Sequence, residues 1–162
     1  MDTELLKIFD PEGNEIGTAT RKEVHQKGLW HETFQCWLVE QGKDKDFIYF
    51  QWRSHMKKDY PNLLDITAAG HLLANETPKD GLREIREELG IEIQFDEMIS
   101  LGIIHNSIQT EKMIDNEFSH VFLYKIKDPA LEFKPQKEEV TGIVKADVRS
   151  FLDFCHGKSA EI

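Results

Sequence analysis

The chain has 162 residues, of which 40% are hydrophobic and 31% charged, and its formal net charge at pH 7 is −10. This length predicts a single domain, residues 1–162, with enough chain to bury a core. The acidic balance argues against a nucleic acid polymer as partner, because such polymers bind basic surfaces. It is compatible with a phosphorylated small molecule, because bound cations can supply positive charge locally.

The sequence shows no pattern of export or of membrane spanning. No basic segment followed by an apolar one opens the chain, and no apolar run approaches about 18 residues. Cys36 and Cys155 lie in different sequence contexts, so we expect reduced, buried thiols and no disulfide. We therefore expect a cytoplasmic protein that has no membrane partner.

Apolar segments separated by polar turns predict a protein of strands with two helices. The first apolar segment covers 5–9, and the predicted strands cover 33–39, 47–52, 91–95, 99–108, 118–126 and 139–146. Asp147 is expected to cap a closing helix that ends before Gly157. Strands combined with helices in this way are typical of a layered α/β domain.

The other predicted helix follows a glycine loop and runs from Thr77-Pro78 to Leu89-Gly90. Thr77 is a good N-cap, proline suits the first helical position, and Asp80 completes a capping box. Gly90 supplies the left-handed stop at the C-terminal end.

This helix is predicted to have one apolar face and one acidic face. The apolar face carries Leu82, Ile85 and Leu89, and the acidic face carries Glu84, Glu87 and Glu88. Carboxylates this close repel each other unless a cation lies between them, and hard oxygen ligands suit magnesium. The pattern favours a metal-binding helix over an ordinary solvated surface.

Residues 70–91 resemble the Nudix box. Gly70 and Glu76 fit its first half, and residues 83–91, REIREELGI, match every position of its second half. One departure is that six residues, instead of seven, separate Glu76 from Arg83. The resemblance implies a Nudix-like α/β/α sandwich with a mixed β-sheet. It also implies Mg2+-dependent hydrolysis of a diphosphate bond in a small molecule, with Mn2+ as the alternative ion.

The same resemblance suggests roles for individual residues. Glu84 and Glu88 are the first choice as magnesium ligands and catalytic groups, with Glu87 third and the Gly70 carbonyl nearby. Arg83 would pair with a glutamate and orient it. The base that deprotonates water stays open among four residues, namely Glu84, Glu88, Glu117 and Glu139.

A second group of residues resembles isopentenyl diphosphate isomerase, a branch of the same family. That enzyme binds a second divalent metal through three histidines and two acids. The matching residues here are His25, His31 and His71, followed by Asp115-Asn116-Glu117. We predict a second metal site formed by the three histidines and Glu117, and imidazole ligands favour a transition metal there.

The isomerase resemblance extends to a basic pair but fails at one position. Arg53 and Lys57 match residues that bind the substrate diphosphate, whereas Ala69 stands where the isomerase has its cysteine. Alanine can neither donate nor accept a proton. We therefore expect a hydrolase of a nucleoside diphosphate-linked or similar molecule. An isomerase and an inactive nucleotide-binding module remain the alternatives, and a homodimer remains open.

Overall fold

The computed structural model describes residues 3–58, 60–111, 113–128 and 130–162. These residues form a nine-stranded mixed sheet with few helices. The strands are β1 (Leu5–Phe9), β2 (Glu15–Thr20), β3 (Trp30–Gln41), β4 (Asp46–Arg53), β5 (Leu64–Ile66), β6 (Ala68–His71), β7 (Met98–Gln109), β8 (Ile114–Lys125) and β9 (Val140–Asp147). The helices are α1 (Arg21–Lys27), α2 (Leu82–Glu84, which continues as a π-helical turn, Ile85–Leu89) and α3 (Val148–Cys155), with a 3-10 turn at Phe95–Glu97.

The long strand β3 organises the sheet. It pairs antiparallel with β1, β4 and β6 and parallel with β8, and β7 continues the sheet beyond β8. The parallel register sets His31 opposite Glu117, while the β6 register sets Phe34 opposite Gly70. Because side chains alternate between the two faces of a strand, these registers decide which groups meet on each face.

The main core lies between the sheet and α2. Phe34 and Leu38 from β3 pack with Ile85 and Leu89 from the helix, and all four side chains are fully buried. Gly81 lies directly against Phe34, since a Cβ there would come within 2.3 Å of the ring Cγ. The predicted apolar face of the helix is therefore confirmed.

The predicted start of this helix at Thr77-Pro78 is wrong. The Asp80 carboxylate does accept a hydrogen bond from the Thr77 N–H (2.8 Å), but residues 78–81 form turns and the helix begins at Leu82. The reason is that the backbone N–H groups of Asp80, Leu82 and Arg83 bond to carbonyls three residues back, which winds the chain too tightly for an α-helix. Gly90, with φ of 66°, ends the helix as predicted.

Two further predictions need correction, and one is confirmed. Residues 91–95 form no strand; Ile91 and Ile93 are buried, so their alternation reflects burial of an extended segment without a partner strand. Both cysteines are free, but Cys155 is exposed instead of buried.

Asp147 caps α3 as predicted, because its Oδ1 accepts the Ser150 N–H at 2.9 Å. Among the described residues, no helix is long and apolar enough to cross a membrane.

We predict that adjacent leucines of β1 contribute very differently to stability. Leu6 is fully buried in a small cluster with Ala19 and Val24, whereas Leu5 is 52% exposed. Leu6→Ala should lower the free energy of unfolding by about 2–5 kcal/mol, because it removes buried methyl groups and leaves a cavity. Leu5→Ala is the matched control and should change it by less than about 1 kcal/mol. Equal losses in urea denaturation of both variants would contradict this packing.

Candidate active site and metal-binding groups

The first group forms where the α2 helix meets the backbone of β6. The Glu84 carboxylate lies against Gly70, so closely that a Cβ on Gly70 would stand 2.1 Å from Glu84 Cδ. Only glycine leaves room for the carboxylate at this place. The glycine of the predicted box is therefore needed so that a helix carboxylate can approach the backbone of the strand.

Glu88 is the most deeply buried acid of the helix. Its side chain is almost inaccessible, and its Oε2 accepts hydrogen bonds from the Ala69 N–H (3.0 Å) and from Gln51 Nε2 (3.1 Å). Burial, with a further contribution from the Glu84 charge, raises the pKa of Glu88 to about 8. Two donors thus hold the carboxylate in a fixed position.

Gln51, on β4, is a site residue that the sequence reasoning missed. It is fully buried, and its Oε1 has no hydrogen-bond partner among the described residues. A buried amide oxygen without a partner is costly unless something binds there. The available signal was one polar residue inside an otherwise apolar and aromatic run, FIYFQW.

Arg83 connects three glutamates of the box. Its guanidinium contacts Glu76 (Nε to Oε1, 3.1 Å), Glu84 (Nη2 to Oε1, 2.9 Å) and Glu87 (Nη1 to Oε2, 3.1 Å). Glu76 also accepts the Leu73 N–H at 2.8 Å, so it ties the arginine to the glycine loop. A planar guanidinium with several donors suits such a multiple contact. The arrangement fixes the direction of Glu84 while Glu87 stays half exposed.

Glu84 and Glu88 have raised pKa values. Burial raises the pKa of Glu84 to about 7; the Arg83 charge lowers this pKa, and the charges of Glu87 and Glu76 raise it further. Without a metal ion, Glu88 is therefore mostly protonated at neutral pH and Glu84 is about half protonated. A divalent cation would reverse this preference, so the pair fits a metal ion of the hard-oxygen class.

The second group gathers the three predicted histidines. One ligand atom from each of His25, His31, His71 and Asp115 lies within 4.8 Å of the others. Asp115 Oδ1 is 3.4 Å from His25 Nε2 and 3.6 Å from His31 Nε2. The carboxylate in this group is therefore Asp115, whereas the predicted set contained Glu117.

Several polar atoms of this group are buried without a partner. His31 Nδ1 lies 3.1 Å from the Leu29 carbonyl, which can only accept, so Nδ1 carries the proton and Nε2 is left as an acceptor. Among the described residues, His31 Nε2, His71 Nε2 and Asp115 Oδ1 are buried without a hydrogen-bond partner. Burial lowers the pKa of His31 and His71, which keeps both rings neutral. These orphaned atoms fit a bound transition metal.

Glu117 lies beside this group but has other partners. Its Oε2 accepts from Ser119 Oγ (3.1 Å) and from Thr33 Oγ1 (3.4 Å). Burial, together with the nearby Asp115 charge, raises the pKa of Glu117 to about 7. A carboxylate with a pKa near neutrality can accept a proton at physiological pH.

The predicted basic pair lies at the end of β4 with both members in ion pairs. Arg53 Nη1 is 2.7 Å from Asp65 Oδ2, and Lys57 contacts the carboxylate of Glu139. The Lys57 charge also lowers the pKa of both Glu88 and His71. The charge of Lys57 therefore acts on residues of both candidate metal-binding groups.

The comparisons with known proteins place the chain in a family. The NUDIX domain model matches residues 29–154. An uncharacterized Nudix hydrolase of Clostridium acetobutylicum is 42% identical over 158 residues, which cover 98% of this chain and 77% of that protein. The chain belongs to the Nudix family.

Two further likenesses concern the isomerase branch and the fold. The isopentenyl-diphosphate Delta-isomerase of Corynebacterium diphtheriae is 26% identical over 162 residues, which cover 96% of this chain and 85% of that protein. A crystal structure of a Deinococcus radiodurans protein superposes with a TM-score of 0.68 at 18% identity and covers 98% of this chain and 92% of that one. The mixed sheet with few helices is therefore a Nudix fold, as predicted.

We predict that the metal-free protein loses stability as pH rises from about 7 to about 9. Glu88 has a pKa of about 8 in the folded chain and an ordinary value of 4.5, so the folded state binds a proton that the unfolded state lacks. This contribution is complete at low pH and is lost as pH rises through 8, at about 1 kcal/mol over the window.

The measurement is denaturation in the presence of EDTA at several pH values. Glu88→Gln is the control, because the amide does not titrate, and it should reduce the dependence. The part that remains near pH 7 comes from Glu84 and Glu117, whose pKa values are about 7. A wild-type protein of equal or greater stability at pH 9 would show that Glu88 is ionised at neutral pH.

Proposed function

We propose that this chain is a magnesium-dependent hydrolase that cleaves a diphosphate bond in a nucleoside diphosphate-linked or similar small molecule. The observation that carries the proposal is the pair of buried carboxylates, Glu84 and Glu88, beside the backbone of Gly70 and Ala69. Exposed acids of a solvated surface would show neither this burial nor the raised pKa values. Membership of the Nudix family, whose enzymes generally use divalent metals, supports the same reading.

In this proposal Glu84, Glu87 and Glu88 hold the magnesium ion, with the Gly70 carbonyl as a further oxygen ligand. A bound ion would neutralise charge on the diphosphate oxygens as the leaving group departs. Arg83 orients Glu84 by its direct contact and ties the box to Glu76. Gln51 positions Glu88 through the bond to Oε2.

Among the four glutamates that could deprotonate water, we favour Glu117. Glu84 and Glu88 serve the ion in this proposal, and Glu139 is paired with Lys57. Glu117 has a pKa of about 7, which suits a base at neutral pH. Ser119 and Thr33 hold its Oε2, and a hydrogen bond with Asn106 also orients the carboxylate.

Arg53 and Lys57 are our choice for binding the substrate diphosphate. Both are paired with carboxylates, so an incoming diphosphate would compete with Asp65 and Glu139 for them. The Lys57 charge already lowers the pKa of His71 and of Glu88.

We also propose that the reaction takes place in the cytoplasm and that residues 1–162 form one domain.

The second candidate function is isomerisation of isopentenyl diphosphate. The histidine group and the similarity to an isomerase favour it. Ala69 argues against it, because its side chain can carry no proton at the position where the isomerase has a cysteine. The Ala69 backbone N–H donates a hydrogen bond to Glu88 Oε2. A third candidate is an inactive nucleotide-binding module. It gives no functional reason for the raised pKa values of Glu84 and Glu88.

The test is a magnesium-dependent screen over a panel of nucleoside diphosphates, nucleotide sugars and other diphosphate compounds. Phosphate release is measured with and without an added phosphatase that frees phosphate from monoester products. Glu84→Gln or Glu88→Gln should lower turnover by about 100-fold or more, because the group that holds charge-stabilising ions is removed. Glu92→Gln is the matched control, since Glu92 is exposed and its carboxylate pairs with Arg86, which is also exposed. It should keep wild-type turnover.

Two outcomes of this screen would overturn the proposal. Wild-type rates in both Glu84→Gln and Glu88→Gln would remove the metal helix from the mechanism. Interconversion of isopentenyl and dimethylallyl diphosphates by the purified protein, without hydrolysis of any panel member, would establish the isomerase instead.

For the second metal site we predict that His25, His31, His71 and Asp115 retain a transition metal through purification. Imidazole nitrogens prefer manganese, iron or zinc over magnesium. The His31→Ala, His71→Ala double variant should contain less of this metal by elemental analysis after metal supplementation. Binding should also weaken at a pH below the ordinary histidine value of about 6.5, because burial lowers the pKa of His31 and His71 and protonated imidazole has no lone pair to donate.

His55→Ala is the control for that measurement, because His55 is exposed and belongs to neither group. Equal metal content in the double variant and the wild type would remove the second site and leave the glutamate helix as the metal-binding group.

A further inference from the structure

The edge strand β7 differs from every other outer strand of the described sheet. It runs for 12 residues, Met98–Gln109, and pairs only with β8 among the described residues. The other outer strands have between three and eight residues. One side of β7 therefore presents a long row of unpaired backbone N–H and C=O groups, which is a template for another strand.

This strand lacks the features that usually protect an edge. Its sequence, MISLGIIHNSIQ, contains no lysine, arginine, aspartate, glutamate or proline, although 31% of the chain is charged. By contrast, the outer strand β2 contains Glu15, and β9 contains Lys145 and Asp147. Charged residues and proline are the common devices against strand addition. A bulge at Leu101, between Ser100 and Gly102, is the one such device that β7 has.

The aliphatic side chains of β7 are exposed on both faces of the sheet. Ile104 and Ile108 lie opposite Ser119 and Asp115 of β8, and Ile103 lies on the other face, opposite His120. Together with Ile99 and Leu101, these residues are 40–56% exposed. A helix laid on the sheet would cover one face only, whereas a strand added in the plane would shield apolar groups on both faces.

We propose that β7 pairs antiparallel with β7 of a second copy of this chain, so that the two sheets join across a two-fold axis. In such a symmetric contact, each group near the axis meets its own counterpart. Any charge near the axis would face the same charge of the other copy, which is unfavourable. Because the chain has a net charge of −10, two copies can approach most easily along an uncharged strip, which here is the exposed edge of β7.

The size of the strip predicts a weak, concentration-dependent dimer. A strand of this length extends for about 40 Å, and a sheet edge is about 10 Å thick, so each copy would bury about 400 Å². Stable interfaces bury about 800 Å² per partner. The dissociation constant should therefore lie in the micromolar range or above.

The experiment is analytical ultracentrifugation of the full chain from about 5 to about 500 μM, a range that spans such a constant. The weight-average mass should rise from that of a monomer toward twice that value. Ile104→Lys places two like charges in the joined sheets and should raise the dissociation constant about 10-fold or more. Ile16→Lys on β2 is the matched control, because Ile16 is 58% exposed and Ile104 is 56% exposed, and it should leave the constant unchanged.

Ile104→Thr guards against a folding defect, because threonine keeps a branched, strand-forming side chain without a charge. It should fold like the wild type, as judged by circular dichroism, and should shift the constant in the same direction by less. Hydrogen exchange locates the contact: amides of 102–109 should become more protected at high concentration in the wild type but not in Ile104→Lys.

Two results would overturn the proposal. One is a wild-type protein that stays monomeric over the whole range, which would leave the strip to another partner. The other is a dimer that Ile104→Lys does not weaken and that leaves the amides of β7 unprotected, which would place the interface elsewhere.

Discussion

The pairing of β3 with β6 on one side and β8 on the other is the constraint on which both candidate metal-binding groups depend. The antiparallel β6 register sets Gly70 opposite Phe34 and brings the Ala69 N–H to Glu88. The parallel β8 register sets Glu117 opposite His31 and carries Asp115 into the histidine group. A shift of either strand by one residue would turn these side chains to the opposite face.

The buried acids are costly for the fold. Glu84, Glu88 and Glu117 all have pKa values raised by burial, so the metal-free chain holds protons on groups that prefer to be ionised in water. A fold selected only for stability would place apolar residues there. Such strained, desolvated polar groups are typical of functional sites, where binding of a cation or a substrate offsets the cost.

One cation, Lys57, acts on residues of both groups. Its charge lowers the pKa of Glu88 in one group and of His71 in the other. A positive charge at this place favours the ionised carboxylate and the neutral imidazole, which are the forms that can bind a cation.

The sequence by itself determined the local features of this protein. The strands 5–9, 33–39, 47–52, 99–108, 118–126 and 139–146 lie within or close to observed strands, and Gly90 and Asp147 end and begin helices as predicted. These features depend on side-chain periodicity and on caps formed by residues a few positions apart. The box pattern was also sufficient to identify the glutamate helix and the family.

Only the tertiary structure decided what distant residues do together. Gln51 reaches Glu88 across 37 positions of the chain, and Asp115, from β8, stands among three histidines from other elements in place of Glu117. The absence of a strand at 91–95 and the exposure of Cys155 also depend on how the elements pack. Local sequence patterns indicate on which face of a strand or helix a side chain lies. Its neighbours are decided by strand register and by the packing of the helix on the sheet, because these depend on contacts between residues far apart in sequence.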